Sequence, residues 1–506
     1  MNYITIHGHF YQPPRENPWT GVIEKQPSAA PYHDWNDRIM HECYLPNSLA
    51  EIKDEYGKVL KLINNYEYLN FNFGPTLLHW IQEKYPLVYN KIIEADRNSI
   101  VKHNGHGNAI AMCYNHVIMP LANKQDKITQ VKWGIKDFEH HFGRAPEAIW
   151  LPETAVNYAT IDVLIAEGMK YIILDVSQAL AARVSGTRKW INVSHGNIDP
   201  QHPYRCYSRT NSKKYIDVFF YDGPISKAVA FEDVLNSSLN LLYKINLALS
   251  HNNKEDRIIG LATDGETFGH HKKFSEMTLA YFFDALAANH GLKIANFGEF
   301  LAAHPPEHDV IIKTGHKDEG TSWSCPHGVR RWYGNCGCGE EDGRHQKWRT
   351  PLRNALNWLR DELIQIYETE ASKYFNDVWS ARNDYINILL DNTEHTAREF
   401  FYNNSKKALN LNEIDKCYKL LEMQKYSMFM FTSCGWFFSE ISGLEAAQIL
   451  QYAAKAIELA EDLSGIALEN KFVDKLELAI SNIHKYKNGK GVWEQLVKPA
   501  KKLAVL

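Results

Sequence analysis

Apolar runs that stop abruptly at a polar or acidic residue beside a turn-former constrain this chain more than any other feature. Strand-like runs of this kind fall at residues 3–6, 68–73, 99–102, 148–151, 170–174, 215–221 and 257–262. Several are apolar throughout, as expected of strands buried on both faces of a parallel sheet. Helical patterns separate most of them, at residues 45–53, 127–142, 161–167, 231–250 and 275–289. Strand and helix alternating about seven times imply an α/β fold, either a parallel barrel or a doubly wound sheet. Polar residues follow so many strand ends that the barrel is the better expectation, and a barrel places its chemistry at those C-terminal ends.

The texture changes past residue 305. His304-Pro305-Pro306-Glu307-His308 marks a boundary, because consecutive prolines stop helices and lack donors for a sheet. A loop rich in Gly, Cys and Trp follows, and from Pro351 the chain reads as successive amphipathic helices. One covers residues 352–370, with Pro351 suited to its first turn. Another starts near Ser442, which has capping-box spacing to Glu445. The expected division is residues 1–305 as a catalytic α/β unit, 306–350 as a loop contributing to its cleft, and 351–506 as an all-α domain.

Charge and cysteine usage narrow the function classes. A formal net charge of -4 gives no electrostatic case for nucleic acid or an anionic membrane. No apolar stretch approaches the roughly 20 residues of a spanning helix. The first residues read straight into a strand rather than a leader, so a cytoplasmic location is expected. Eight cysteines in 506 residues are not a secreted disulfide framework. The 13 tryptophans suit sugar binding, where pyranose faces stack on flat rings, but large cores also use Trp.

Two strand ends carry carboxylates: Trp150-Leu151-Pro152-Glu153 and Ala262-Thr263-Asp264-Gly265-Glu266. A pair of carboxylates at strand ends is the minimum equipment for cutting a glycosidic bond. Each acid alone is equally readable as a helix cap, since Asp and Glu are favoured in first turns. His7-Gly8-His9, ending in Gln12-Pro13, places two histidines on one face of the first strand, able to bind a metal or sugar hydroxyls. His103-Asn104-Gly105-His106-Gly107-Asn108, with Tyr114-Asn115-His116, offers neutral groups suited to a polyol.

Taken in order, these motifs resemble glycoside hydrolase family 57, whose members act on α-glucans and related sugars. His9 to Pro13 resembles the family's His-Gln-Pro run, with two residues inserted before Gln12. Gly105 to His116 resembles its second motif, with His106 and Asn108 where the family has Gln and Glu. Trp150 to Glu153 matches the third, and Asp264 to His270 resembles the fourth. Thr432-Ser433-Cys434-Gly435-Trp436-Phe437 resembles the fifth, aromatic motif. Residues 305–506 resemble the helical extension of one branch of that family.

The resemblance implies an incomplete (β/α)7-type parallel barrel followed by an all-α helical C-terminal domain. It implies a retaining mechanism with Glu153 as nucleophile, Asp264 as general acid/base, and no cofactor. Glu266 shares a strand face with Asp264 and competes for the acid role, which family position gives to Asp264. His7, His9, Gln12, His106, Asn108, His116, Trp150, Glu266 and His270 are then expected around an oligo- or polysaccharide substrate. Trp323, Trp332 and Trp436 are expected as aromatic walls, Trp436 having a core position as its alternative.

Cys325, His327, Cys336 and Cys338 supply a tetrahedral zinc ligand set by type. Their Cys-x-His and Cys-x-Cys spacings are tighter than usual, so reduced thiols are the leading expectation, with zinc and a disulfide behind it. Hydrolysis and glucan transfer, as in a 4-α-glucanotransferase or branching enzyme, share one covalent intermediate, and the sequence leaves that choice open. Two readings of other classes also stay open. A metal-dependent deacetylase-like hydrolase would leave Glu153 without a role, and a non-catalytic glucan-binding protein would keep only the pocket.

Overall fold

The computed structural model describes residues 1–249, 256–338 and 343–503. The chain divides into two compact units. The first comprises Met1–Gln12, Lys25–Cys113 and Phe138–Thr314, and the second Pro13–Glu24, Tyr114–Asp137 and Gly315–Leu506. The chain therefore changes unit several times, where the sequence suggested one crossing near residue 305. Contiguity in sequence hides such excursions, because apolar spacing records that a segment is buried and not what buries it.

Seven parallel strands organise the first unit: β1 (Asn2–Phe10), β2 (Asn70–Phe73), β3 (Ala111–Met112), β4 (Ile149–Trp150), β5 (Tyr171–Asp175), β6 (Tyr215–Tyr221) and β7 (Arg257–Asp264). β1 pairs in parallel with β7 on one side and, on the other, with β2 toward its C-terminal end and with the short strand Leu292–Ile294 at its start. β3 pairs with β4, and β5 with β6. Single bridges join Phe71 of β2 to Ala109 and Ala148 to Tyr171 of β5. Asp222, just past β6, donates its N–H to the Gly260 carbonyl of β7 at 2.7 Å. Neighbours thus run from β1 through β7 and back to β1. From Tyr3 onward β1 is buried along its whole length, as a strand covered on both faces must be.

Three sequence expectations change here. Residues 99–102 close the helix Pro86–Lys102 rather than form a strand. That helix buries Val88, Ile92, Ala95, Asp96 and Ser99, a spacing of three and four that a short apolar window conceals. The strand in that part of the chain is β3. Residues 45–53 split into the helical turn Leu45–Ser48 and the strand Ala50–Lys53, which pairs antiparallel with Val59–Ile63. Alternation of buried Ala50 and Ile52 with outward Glu51 and Lys53 is the period of a strand. The pattern at 231–250 resolves into Gly223–Phe231 and Ser238–Leu249, with Ser250 outside the described residues.

An annex of mixed pairing, in which Tyr204–Tyr207 also meets His308–Ile312 in parallel, extends the sheet beyond β6. Tyr204–Tyr207 pairs with β6, and His308–Ile312 pairs with Ala179–Val184, which pairs in turn with Ile191–Asn192. Ala179–Val184 buries Ala179 and Ala182, so it shows neither strict alternation nor a continuous apolar run.

The second unit is mainly helical. In Arg349–Ala371 the buried Leu352, Leu356, Leu359, Leu363 and Ile366 form one stripe, and Pro351 sits in the first turn, where its missing N–H is harmless. Leu411–Phe429 starts with a capping box made by Asn410 and Glu413. It lies against Leu444–Ser464, an Ala-rich helix closed by Gly465 at φ 71°. The capping box expected at Ser442 does not form. Gly443 is the cap residue, and both the N–H and the hydroxyl of Ser442 donate to Glu440 Oε1 at 3.1 Å. The Ser442 hydroxyl is held on that carboxylate one residue before the cap position.

Candidate active site

Strand register builds the centre of the first unit. His9 of β1 is flanked by Asn72 of β2 and Asp264 of β7, and His7 by Asn70 and Ala262. In-register neighbours point the same way. The result is two polar layers near the strand ends, both reached from β1.

His7 is fully buried, with Nδ1 2.8 Å from Asn70 Oδ1 and Nε2 3.1 Å from Asn72 Oδ1. Asn70 is oriented by donating its Nδ2 to the Asn108 carbonyl at 2.6 Å, so its Oδ1 accepts the single N–H of the neutral ring from Nδ1, and Nε2 faces the Asn72 amide. His9 Nδ1 lies 3.0 Å from Asn72 Nδ2. Burial lowers the His7 pKa to about 4 and that of His9 to about 3, against the opposing pull of their asparagine partners. Both rings are therefore neutral at physiological pH. Trp150 lies along them, stacked on His7 at 4.5 Å and on His9 at 5.3 Å between ring centroids.

Glu153 follows β4 in the turn Pro152–Thr154, with φ 59° and ψ 21°, and Thr154 follows at φ 49°. Two successive non-glycine residues in the left-handed region store on the order of 1–3 kcal/mol each, which persists only when the surroundings hold it. Gln178 holds it. Its Nε2 donates to the Thr154 carbonyl at 2.8 Å, and its Oε1 accepts from Thr154 Oγ1 and from the Asp175 N–H, each at 2.9 Å.

Asp264 ends β7 and reaches water. Crowding by protein, then the charges of Glu266 and Glu153, push its carboxyl up to about 8. Because the side chain is open to solvent, the two like charges are the sturdier part of that rise. Glu266 is different. It is buried and accepts from Tyr44 Oη at 2.6 Å and the Tyr11 N–H at 3.1 Å, with Gln12 as a further partner. Burial pushes its pKa up to about 7 in spite of those donors. Glu266 and Gln12 thus fix the chain leaving β1, and Asp264 is the carboxyl presented. His270 pairs with Glu42 through Nδ1 and meets the edge of Trp35 at 6.0 Å.

Not every expected residue is brought here. His106 and Asn108 precede β3, at the N-terminal ends of the strands. His106 Nδ1 pairs with Glu147 Oε2 at 2.8 Å, and Asn296 donates to the His106 carbonyl at 2.8 Å and to Asn108 Oδ1 at 3.1 Å. Their polarity serves to satisfy the ends of strands and the helix Phe297–Ala303, and the sugar contacts expected of them are not supported.

His116, Trp323, Trp332 and Trp436 belong to the second unit. His116 (φ 59°) is buried, with Nδ1 2.6 Å from Ser433 Oγ, so the second and fifth sequence motifs meet there. Trp436 is 0% exposed, between Arg353 at 4.0 Å and Phe431 at 6.3 Å. It has no open face for a sugar, and the core alternative describes it. Trp332 is likewise fully buried, whereas Trp323 is half-buried. The four candidate metal ligands Cys325, His327, Cys336 and Cys338 converge, their ligand atoms all within 4.8 Å of one another.

Residues the sequence did not point to include Asn70, Asn72, Tyr44, Gln178 and Tyr221. Asn70-x-Asn72 repeats the one-face spacing of His7-x-His9, a signal open to reading. Tyr221 ends β6, where burial and the carboxylates of Asp175 and Asp264 hold its hydroxyl well above the usual range.

A carboxyl with a raised pKa, a second carboxylate in a strained turn, and neutral histidines over a tryptophan lie at the ends of these strands. The model of glycosyl hydrolase family 57 matches residues 10–313, more than half of the chain, and the chain belongs to that family. A domain of unknown function (DUF3536) matches residues 344–504. The 4-alpha-glucanotransferase of Thermococcus litoralis is 20% identical over 294 residues, covering 57% of this chain and 40% of that protein. The chain therefore spans less than half the length of this relative. An exo-type maltose-forming amylase from Pyrococcus sp. ST04 shares the fold with TM-score 0.69 and 15% identity, over 100% of this chain and 94% of that one. A branching enzyme from Pyrococcus horikoshii does so with TM-score 0.56 and 14% identity, covering 94% of each chain. Among the described residues no helix is long and apolar enough to cross a membrane.

Proposed function

We propose that the chain is a retaining glycoside hydrolase acting on α-linked glucans, with Glu153 as nucleophile and Asp264 as general acid/base. The seven parallel strands are read as an incomplete (β/α)7-type barrel carrying the site, and the helical second unit as its extension. The observation that carries the reading is Asp264 at the end of β7, whose carboxyl is pushed toward the protonated form by crowding and by the charges of Glu266 and Glu153, as a proton donor requires. Glu153 attacks the anomeric carbon while Asp264 gives its proton to the leaving oxygen. Forming the ester removes the negative charge of Glu153, which lowers the Asp264 pKa and readies it to take a proton from the incoming hydroxyl. Neutral His9 fits hydrogen bonding to an uncharged polyol.

The incoming hydroxyl belongs to water or to a second sugar. The second choice, glucan transfer, is favoured by the names of the T. litoralis and P. horikoshii relatives. Chromatography of products from defined α-1,4 and α-1,6 oligosaccharides separates them: shorter products alone mean hydrolysis, and products longer than the input mean transfer. Retention requires the product to keep the α configuration and the two carboxyls to act from about 5–5.5 Å apart. Release of the β anomer overturns the mechanism.

A further inference from the structure

We propose that Cys325, His327, Cys336 and Cys338 bind a single zinc ion in a closed, structural Cys3His site. Zn–S bonds of about 2.3 Å and Zn–N bonds of about 2.0–2.1 Å make tetrahedral edges of about 3.8 Å between sulfurs and about 3.6 Å between sulfur and nitrogen. Cys325 Sγ lies 3.8 Å from Cys338 Sγ, and His327 Nδ1 lies 3.5 Å from Cys338 Sγ and 4.0 Å from Cys325 Sγ. Three of the six edges are thus near their coordinated lengths, with every ligand atom inside 4.8 Å.

The tight spacing that argues against zinc from sequence is resolved by two glycine turns. Gly328, at φ 79°, closes a turn in which its N–H donates to the Cys325 carbonyl at 3.1 Å, curling Cys325 and His327 toward one point. A Cβ at Gly328 would lie 2.7 Å from the Gly320 carbonyl oxygen. Gly337, also at φ 79°, lets the Cys338 N–H turn back onto Cys336 Sγ at 3.4 Å. Backbone N–H groups aimed at sulfur favour a thiolate.

Charge and linkage agree. Three thiolates and a neutral imidazole around Zn2+ leave one net negative charge, which a buried site must balance. The fully buried Arg349 directs Nη1 at Cys336 Sγ, 3.8 Å away, and at Gln346 Oε1, 2.6 Å away. Gln346 Nε2 in turn donates to the Cys338 carbonyl at 2.7 Å. A disulfide fits less well: an S–S bond is about 2.05 Å long, and joining two of three converging thiols strands the third. Four protein ligands leave no open coordination position, so the ion ties the segment from Cys325 to Cys338 together and takes no part in sugar chemistry.

The test reads metal rather than turnover. Full-length chain purified under reducing conditions, without an affinity tag, is measured by elemental mass spectrometry, with about one zinc per chain expected. Cobalt(II) replacement should give the intense visible absorption of tetrahedral thiolate coordination, and chelation should lower the Tm by several degrees. Cys338→Ser and His327→Ala should lose the metal, while His327→Cys should keep it. Should a variant fail to fold, thiol modification of the wild type in the presence of a chromophoric chelator should release zinc in step with the loss of three thiols. A zinc ratio near zero in chain grown with added zinc, or a disulfide in that chain, overturns the proposal.

Discussion

Replacing Gln178 by Ala should separate the nucleophile from its geometry without touching its chemistry. Gln178 makes three hydrogen bonds that pin the turn carrying Glu153, two to Thr154 and one from Asp175. At about 1 kcal/mol net for each, their loss removes about 3 kcal/mol, before any cost of the small cavity left by a 1%-exposed side chain. The strain of φ 59° and 49° at Glu153 and Thr154 is then no longer opposed, and the turn relaxes. A nucleophile displaced by about 1 Å loses on the order of 100-fold in rate. Urea unfolding should give the stability change, with kcat/KM on a cleaved α-glucan measured beside it. Gln178→Glu keeps the acceptor but loses the donor to the Thr154 carbonyl and should fall between. A Gln178→Ala chain that loses stability but keeps wild-type kcat/KM would refute the idea that this clamp sets the position of Glu153.

Glu153→Gln and Asp264→Asn should each lower turnover by orders of magnitude while leaving the circular dichroism and Tm near wild type; a Glu153→Gln chain with near wild-type glycosidase rates rules out its role. For the free enzyme, kcat/KM should fall above about pH 8, as Asp264 loses the proton it must donate; a rate still rising at pH 9 would contradict that. Folded His7 and His9 titrate near 4 and 3, below the unfolded value of about 6.5, so the native chain binds fewer protons than the unfolded one between those values. Their contribution to stability is complete above about pH 6.5 and is lost as the pH falls toward 4. Urea midpoints measured from pH 7 to 4.5 should fall less steeply in His7→Gln than in wild type, and equal slopes would refute the assignment.

The parallel strands were legible because their apolar runs are long and end at turn-formers: residues 215–221 were read at the observed bounds of β6. Residues 99–102 failed because four apolar or small residues fit the last turn of an amphipathic helix as well as a strand. The carboxylates could be located as strand ends, but the sequence could not distinguish presented Asp264 from anchored Glu266, a difference made by Tyr44 and the Tyr11 N–H far away in the chain. The pairing of His106 is hidden for the same reason: its partner Glu147 lies 41 residues on, and no local pattern records it. In the Cys/His loop the residue types were plain, while the convergence depends on left-handed glycines that spacing rules do not weigh.

The excursion Tyr114–Asp137 restricts how this molecule can be divided or inherited. Its Asp126 pairs with buried Arg382 at 2.8 Å, and its Trp133 donates to the Asn383 carbonyl at 3.0 Å, both partners lying far beyond residue 305. A truncation there would carry off the partners of a segment it left behind, exposing Trp133 and an unpaired Asp126. The helical part is thus not a removable appendage to the strands, and any ancestor lacking it must have had a different 114–137 segment. Recombination between relatives would have to exchange that segment and the C-terminal helices together.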